Sequence, residues 1–174
     1  MKVKILGCGT STGVPIPACT CPICTSREPK NMRNRTSALV NTDTGESILI
    51  DTTPDLRHQA LQFQISRVDA VLFTHSHADH IFGLDDIRGF NFSSGKRIPC
   101  YGNYQTLEEI RLRFGYIFEK EGTYEGGALP KIDLKQIEEG KCFQAAGVEI
   151  LPFSVLHGQM NVTGFKIGGL AYAT

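Results

Sequence analysis

Three of the five histidines in this chain lie within six residues, in the sequence HSHADH at positions 75–80. The apolar run Val71–Phe73 comes shortly before them and predicts a buried strand that ends at the cluster. Side chains two residues apart in an extended segment point to the same side, so His75 and His77 are placed to share one metal ion. Zinc, manganese and iron accept imidazole and carboxylate ligands. The cluster therefore predicts a metal site at a strand end.

The rest of the cluster, together with a distant histidine, predicts further ligands. A turn after the second histidine would return Asp79 and His80 to the same place, within reach of a second ion. Much later, the apolar-rich segment 148–155 predicts another strand, which leads into His157. Because His157 ends an apolar strand as His75 does, it is predicted to supply a third imidazole to the first ion.

An aspartate also ends a predicted strand. Asp51 follows the apolar run at 47–50, which forms the second half of a hairpin that begins near residue 36. Its carboxylate could brace a metal-bound histidine, or it could serve only in a turn or helix cap. The sequence leaves both roles open.

Three of the six cysteines, Cys19, Cys21 and Cys24, lie close together in a loop at residues 10–35 that is rich in Gly, Pro and Thr. Three thiolates at this spacing predict a structural zinc site that stabilises the loop, with a fourth ligand not evident from the sequence. A thioredoxin-type redox pair is an alternative, although such a pair opens a helix in a βαβ unit. Buried inert thiols are the other alternative. The remaining cysteines have no supporting spacing: Cys8, Cys100 and Cys142.

The order of strands, helices and strand-end ligands predicts an α/β architecture with the site along one sheet edge. Helices are expected at 56–63, 81–87 and 103–118, and a polar, Gly-rich segment at 119–130 is expected to be a mobile loop or lid. Further strands are expected after it, ending in a hairpin at 162–174.

Composition narrows the class of protein. The 174 residues are enough for one domain over 1–174, with 41% apolar and 21% charged residues. Eighteen basic residues balance eighteen acidic ones, so no overall field attracts nucleic acid or a membrane surface. The sequence shows neither a signal peptide nor an apolar segment long enough to span a bilayer, so a cytoplasmic location and no membrane partner are expected. A homodimer is left open.

These motifs resemble those of the metallo-β-lactamase fold hydrolases. The resemblance rests on the H-x-H-x-D-H pattern at 75–80, on His157, and on Asp51 at a strand end before the first helix. Within that superfamily, the sequence GCGTSTGVP at 7–15, followed by the three cysteines, resembles the PhnP-like phosphodiesterase branch. The branch that includes the pyrroloquinoline quinone biosynthesis protein has a similar cysteine cluster.

The resemblance implies a four-layer αββα sandwich with two divalent metal ions, zinc or manganese, at the catalytic site. By this likeness, His75, His77 and His157 bind one ion, while Asp79 and His80 bind the other. Asp79 would also orient the attacking hydroxide shared by the two ions, and the cysteines would hold one structural zinc ion.

The chain departs from the family pattern near residues 170–174. Family members place a metal-bridging aspartate just after a strand of this kind, then a further histidine for the second ion, and PhnP-like proteins use another late histidine at the structural zinc. None of these follows Thr174 in this sequence. The resemblance therefore implies the N-terminal portion of a C-terminally truncated fold, which retains one catalytic metal and has weak or no hydrolytic activity.

The function expected from the resemblance is metal-dependent hydrolysis of a small-molecule phosphodiester. One alternative is RNA 3′-end processing of the tRNase Z type, supported by a basic group at Arg27, Lys30, Arg33 and Arg35 but disfavoured by neutral net charge. A thioester or lactam hydrolase is another, because the metal motif does not select the bond that is cleaved. A non-enzymatic, zinc-stabilised binding module is the third.

Overall fold

The computed structural model describes residues 1–119 and 128–174. The strands in these residues are β1 (Lys2–Gly7), β2 (Ser37–Asn41), β3 (Ser47–Ile50), β4 (Ala70–Leu72), β5 (Ile98–Gly102), β6 (Ile132–Gln136), β7 (Phe143–Ala145), β8 (Val148–His157), β9 (Met160–Ile167) and β10 (Leu170–Tyr172). They form two sheets, one of six strands in the order β1-β2-β3-β4-β5-β6 and one of four in the order β10-β9-β8-β7. In the first sheet, β1, β2 and β3 pair antiparallel, and the strands from β3 to β6 pair parallel.

All described helices precede β6 in the chain, and their buried residues pack with one face of the first sheet. The α-helices are α1 (Leu56–Gln62), α2 (Ala78–Ile81), α3 (Arg88–Ser94) and α4 (Tyr104–Arg113), and the 3-10 turns are Pro29–Asn31, Leu84–Ile87 and Gly115–Ile117. None of the helices in the described ranges is long and apolar enough to cross a membrane.

Two hydrophobic cores lie on opposite faces of the first sheet, because alternate residues of a strand face opposite sides of a sheet. Leu49 and Val71 join the core beneath the helices, while their neighbours Ile48 and Leu72 join the core between the two sheets. Phe165 of β9, in the second sheet, packs into this core between the sheets. The described residues thus form the helix, sheet and sheet layers of the predicted αββα sandwich.

Most predicted elements are confirmed, but one helix begins earlier than expected. The sequence predicts a helix over 81–87, whereas α2 starts at Ala78 and a separate 3-10 turn follows at Leu84–Ile87. An acidic residue in the first turn favours this earlier start, because it interacts with the positive end of the helix. Helix α3 was not predicted. The loop expected at 119–130 lies mostly outside the described residues.

Gly83, two residues after the end of α2, packs directly against the loop that follows β3. Its N–H donates to the Thr52 carbonyl oxygen at 2.8 Å, and a Cβ at Gly83 would lie 1.9 Å from the Thr53 carbonyl oxygen. Only a residue without a side chain fits here, so this contact fixes the spacing between α2 and the end of β3.

Gly83→Ala is therefore expected to lower the free energy of unfolding of the metal-free chain by about 1–3 kcal/mol, since backbone must move to admit the methyl group. The matched control is Gly89→Ala in α3, where an added Cβ meets nothing within 4 Å. That change should raise stability by about 0.5–1 kcal/mol through helix propensity. Urea denaturation measures both, and equal stability of the two variants would refute the packing argument.

Candidate metal centre

The buried carboxylate of Asp51 organises this site. Asp51 lies just after β3 with a positive φ of 60°, a left-handed conformation that Asp and Asn tolerate better than most residues. Its Oδ1 accepts the Thr74 N–H at 2.8 Å, and its Oδ2 accepts the Thr74 hydroxyl at 2.8 Å. The same Oδ2 lies 2.7 Å from His80 Nδ1. Asp51 therefore braces a predicted ligand. The N-cap position of α1 is taken by Asp55, whose side chain makes no capping hydrogen bond.

The Thr74 hydroxyl links Asp51 to His75. Its hydroxyl hydrogen is donated to Asp51, so its oxygen accepts from His75 Nδ1, which lies 3.0 Å away. With Nδ1 carrying the hydrogen, His75 Nε2 keeps its lone pair and faces His77 Nδ1 at 3.1 Å. An oriented imidazole with a free nitrogen is the form that binds a metal. Thr74 was not predicted as a functional residue, although its position between a strand and the first histidine was the available signal.

The three predicted imidazoles converge. His157 ends β8, and its ring centroid lies 5.6 Å from that of His75 and 5.5 Å from that of His77. One ligand nitrogen from each of the three lies within 4.8 Å of the others. Zinc–nitrogen bonds of about 2.0–2.1 Å place tetrahedral ligands about 3.4 Å apart, so small side-chain shifts suffice to surround one ion. The donor set fits a zinc ion with three histidine ligands.

A hydrogen bond between the two sheets holds this convergence in place. The N–H of Thr163 on β9 donates to the carbonyl oxygen of Thr74 at 2.9 Å. Strand β9 is paired with β8 along its whole length, up to the pair His157 and Met160. The second sheet is thus fixed to the end of β4, where the histidine cluster begins.

The electrostatics keep His75 neutral. Burial, followed by the nearby imidazoles of His80, His77 and His157, lowers the pKa of His75 to about 3. A neutral imidazole is the form that ligates metals, so no proton has to be removed from His75 near neutral pH.

Asp79 and His80 form a separate pair in α2. The Asp79 Oδ2 atom lies 3.3 Å from His80 Nε2, while His80 Nδ1 faces Asp51. Burial lowers the pKa of His80, but its hydrogen bond to Asp51 and the charges of Asp51 and Asp79 outweigh burial and raise that pKa above 6.5. A metal ion at this pair would compete with a proton for Nε2. Two donors at 3.3 Å suit one ion and form part of a coordination sphere.

The cysteine cluster is assembled, too. The sulfur atoms of Cys19, Cys21 and Cys24 lie within 4.8 Å of one another, and no further residue in the described ranges joins that group. The Cys24 N–H donates to Cys21 Sγ at 3.5 Å, and this hydrogen bond, with the adjacent Cys19 thiol, lowers the pKa of Cys21 to about 7. Thiolate is the form that binds zinc.

The two alternatives for these cysteines lack their structural requirements. No helix starts at Cys21 or Cys24, which lie in a turn, so the context of a thioredoxin-type pair is missing. Inert buried thiols are also excluded, because Cys21 is exposed and the other two cysteines are partly exposed. Of the remaining cysteines, Cys100 is buried in the core beneath the helices, whereas Cys8 and Cys142 are exposed outside the cluster.

Comparison with known proteins agrees with this fold. A family model described as a beta-lactamase superfamily domain matches residues 46–174. The chain belongs to this superfamily, and its architecture is the metallo-β-lactamase fold. The predicted resemblance is thereby confirmed.

Individual relatives extend the comparison. The chain is 41% identical over 174 residues, all of its length, to an octanoyltransferase from Porphyromonas gingivalis, of which it spans 34%. It is 38% identical to a crystal structure of a diphosphatase from the PhnP family, with a TM-score of 0.86 and coverage of 98% of this chain and 63% of that one. Zinc-bound PqqB from Methylobacterium extorquens shares the fold at 22% identity and a TM-score of 0.75, with the same coverage. The chain thus spans less than two thirds of each relative.

The two histidines are expected to titrate differently in the metal-free chain. His75 should stay neutral between pH 5 and 8, because its pKa is about 3, whereas His80 should titrate above its usual value of 6.5. Asp51→Asn keeps the side-chain shape and tolerates the positive φ, but removes the charge, so it should lower the His80 pKa. Proton NMR of the imidazole resonances against pH measures this. A His80 midpoint unchanged by Asp51→Asn would show that Asp51 does not brace it.

Zinc analysis should distinguish the two ligand groups. We expect about two tightly held zinc ions per chain, one for each group of three ligands. His77→Ala should remove only the first and Cys21→Ser only the second. Mass spectrometry under native conditions counts the ions. Loss of both ions in each single variant would contradict independent sites. Two tightly held ions at the histidine centre would contradict the view that Asp79 and His80 are an incomplete ligand set for a second ion.

Proposed function

We propose that this chain carries the metal centre of a hydrolase that cleaves phosphodiesters, with a small molecule as substrate. The single observation that supports a metal-dependent hydrolase best is the convergence of His75, His77 and His157 beside the Asp79 and His80 pair. Cleavage at phosphorus, rather than at a thioester or lactam, is favoured by the similarity to a protein named as a diphosphatase of the PhnP family. We further propose that the ions are zinc or manganese and that the cysteines hold a structural zinc.

The residues of the centre have different roles in the proposed reaction. A divalent ion, when bound, lowers the pKa of coordinated water to about 7 and neutralises charge on the phosphoryl oxygens. His75, His77 and His157 would hold that ion in place through their ring nitrogens. One Asp79 oxygen lies 3.3 Å from His80 Nε2, and the other would accept a hydrogen bond from the attacking water and orient it. No side-chain nucleophile is required.

RNA is the less favoured substrate. Two residues of the predicted basic group are engaged locally: Arg35 pairs with Asp55 at 2.7 Å, and Arg33 donates to the Met32 carbonyl oxygen at 2.9 Å. The chain also has equal numbers of acidic and basic residues. Phosphate binding by RNA-processing proteins depends on clustered free cations, so these contacts favour a smaller substrate.

The assay compares three chromogenic substrates at one concentration of the zinc- or manganese-loaded chain: bis(p-nitrophenyl) phosphate, a thioester and a β-lactam. We expect slow turnover that favours the phosphate, because the described residues offer only two ligands to the second ion. His77→Ala should lower the rate by about 100-fold or more, because mutating even a residue that only supports a metal ligand costs about 10–100-fold. The matched control is His58→Ala, an exposed histidine of α1 outside the centre, which should retain the wild-type rate.

Faster turnover of the thioester or lactam would replace the phosphodiester assignment with that reaction. Equal rates for His77→Ala and wild type would remove the metal centre from the reaction. A chain that binds its metal and cleaves none of the three would instead favour the zinc-stabilised binding module.

A further inference from the structure

An aromatic residue that is not a candidate metal ligand follows the helical turn that carries Asp79. Phe82 directly follows α2 and is 50% exposed. Its N–H donates to the Ala78 carbonyl oxygen at 3.0 Å, which keeps it in register with that turn. Residues three apart in a helical register share a face, so this register places Phe82 on the same face as Asp79. Because helical side chains lean towards the N-terminus, this position directs the ring towards the turn that carries Asp79.

Phe114 packs against the ring of Phe82. Phe82 and the buried Phe114 meet edge to face, with ring centroids 5.9 Å apart and planes at 90°. Phe114 in turn lies 6.4 Å from Tyr116, whose hydroxyl donates to Asp85 at 3.0 Å. Edge-to-face pairs are a favoured arrangement of aromatic rings. The tight packing of Gly83 against the loop after β3 fixes the backbone at the next residue. Phe82 therefore presents a supported ring with half of its surface open.

We propose that Phe82 is a specificity-determining residue of the centre, and that its exposed ring stacks on a flat unsaturated group of the phosphodiester bound beside Asp79. This inference rests on the proposed function, because it assumes that a phosphodiester occupies the centre. The shared chemistry of the substrate group is a planar π-system, which either a nucleobase or a simple aryl ring supplies. Such stacking is tolerant of ring identity.

Exposed aromatic residues are ordinary on protein surfaces, so the position of Phe82 matters more than its exposure. Phe92 provides the contrast. It is 66% exposed but lies in α3, which contributes none of the converging metal ligands, and it lines a different cavity with Arg57 and Leu61. A purely general effect of removing an exposed phenyl ring should be the same at both positions.

The test measures the affinity of the zinc-loaded chain by calorimetry for three phosphodiesters of equal charge: diphenyl phosphate, thymidylyl-thymidine and diethyl phosphate. Wild type should bind at least one of the two aromatic diesters about tenfold more tightly than the diethyl ester, a difference of about 1.4 kcal/mol that stacking on one aromatic ring can supply. Phe82→Ala should remove this preference and leave diethyl phosphate affinity unchanged. Phe82→Trp should retain it, and Phe92→Ala should match wild type.

The outcomes separate the two proposals. Preference for diphenyl phosphate alone identifies an aryl group, and preference for the dinucleotide alone identifies a nucleobase. Equal binding of all three ligands to wild type, or the same loss in Phe82→Ala and Phe92→Ala, would overturn the role of Phe82 while leaving phosphodiester binding intact. Failure of all three to bind would overturn both this inference and the phosphodiester assignment. Circular dichroism confirms that each variant is folded.

Discussion

One buried carboxylate connects both halves of the metal centre. Asp51 is fully buried and accepts hydrogen bonds from the Thr74 backbone and hydroxyl while facing the His80 ring. A buried charge without partners would cost several kcal/mol, so each of these bonds is needed for the fold as well as for the site. Through Thr74, the same carboxylate sets which nitrogen of His75 is free. The local fold and the orientation of the candidate ligands His75 and His80 therefore both depend on the Asp51 carboxylate.

The fold brings distant ligands together by making strand ends meet. Strands β3 and β4 are parallel neighbours, so Asp51 and the histidine cluster emerge at the same edge of the first sheet. The second sheet packs on that sheet through the inner core, and the bond from Thr163 to Thr74 fixes the contact near the cluster. The hairpin of β8 and β9 then delivers His157. The rigid core between the sheets, rather than a flexible loop, sets the distance across the centre.

Local sequence patterns predicted the candidate histidines His75, His77 and His157 because they lie at or shortly after the end of a recognisable apolar strand. Their convergence was reached by analogy between two strand ends, and the structure brings them together. The bracing network could not be derived in the same way. The role of Asp51 depends on a positive φ and on a partner 23 residues away, neither of which has a signal in local periodicity. Helix α2 was placed too late because the whole helix is only four residues long and contains the candidate ligands Asp79 and His80.

The central claim is that imidazoles from two different sheets surround one cation. Crystals of the zinc-loaded chain, measured at the zinc absorption edge, test this most directly. The account predicts one anomalous peak at about 2.0–2.1 Å from a nitrogen of His75, of His77 and of His157. A zinc ion bound without His157, or no anomalous density among the three rings, would contradict it.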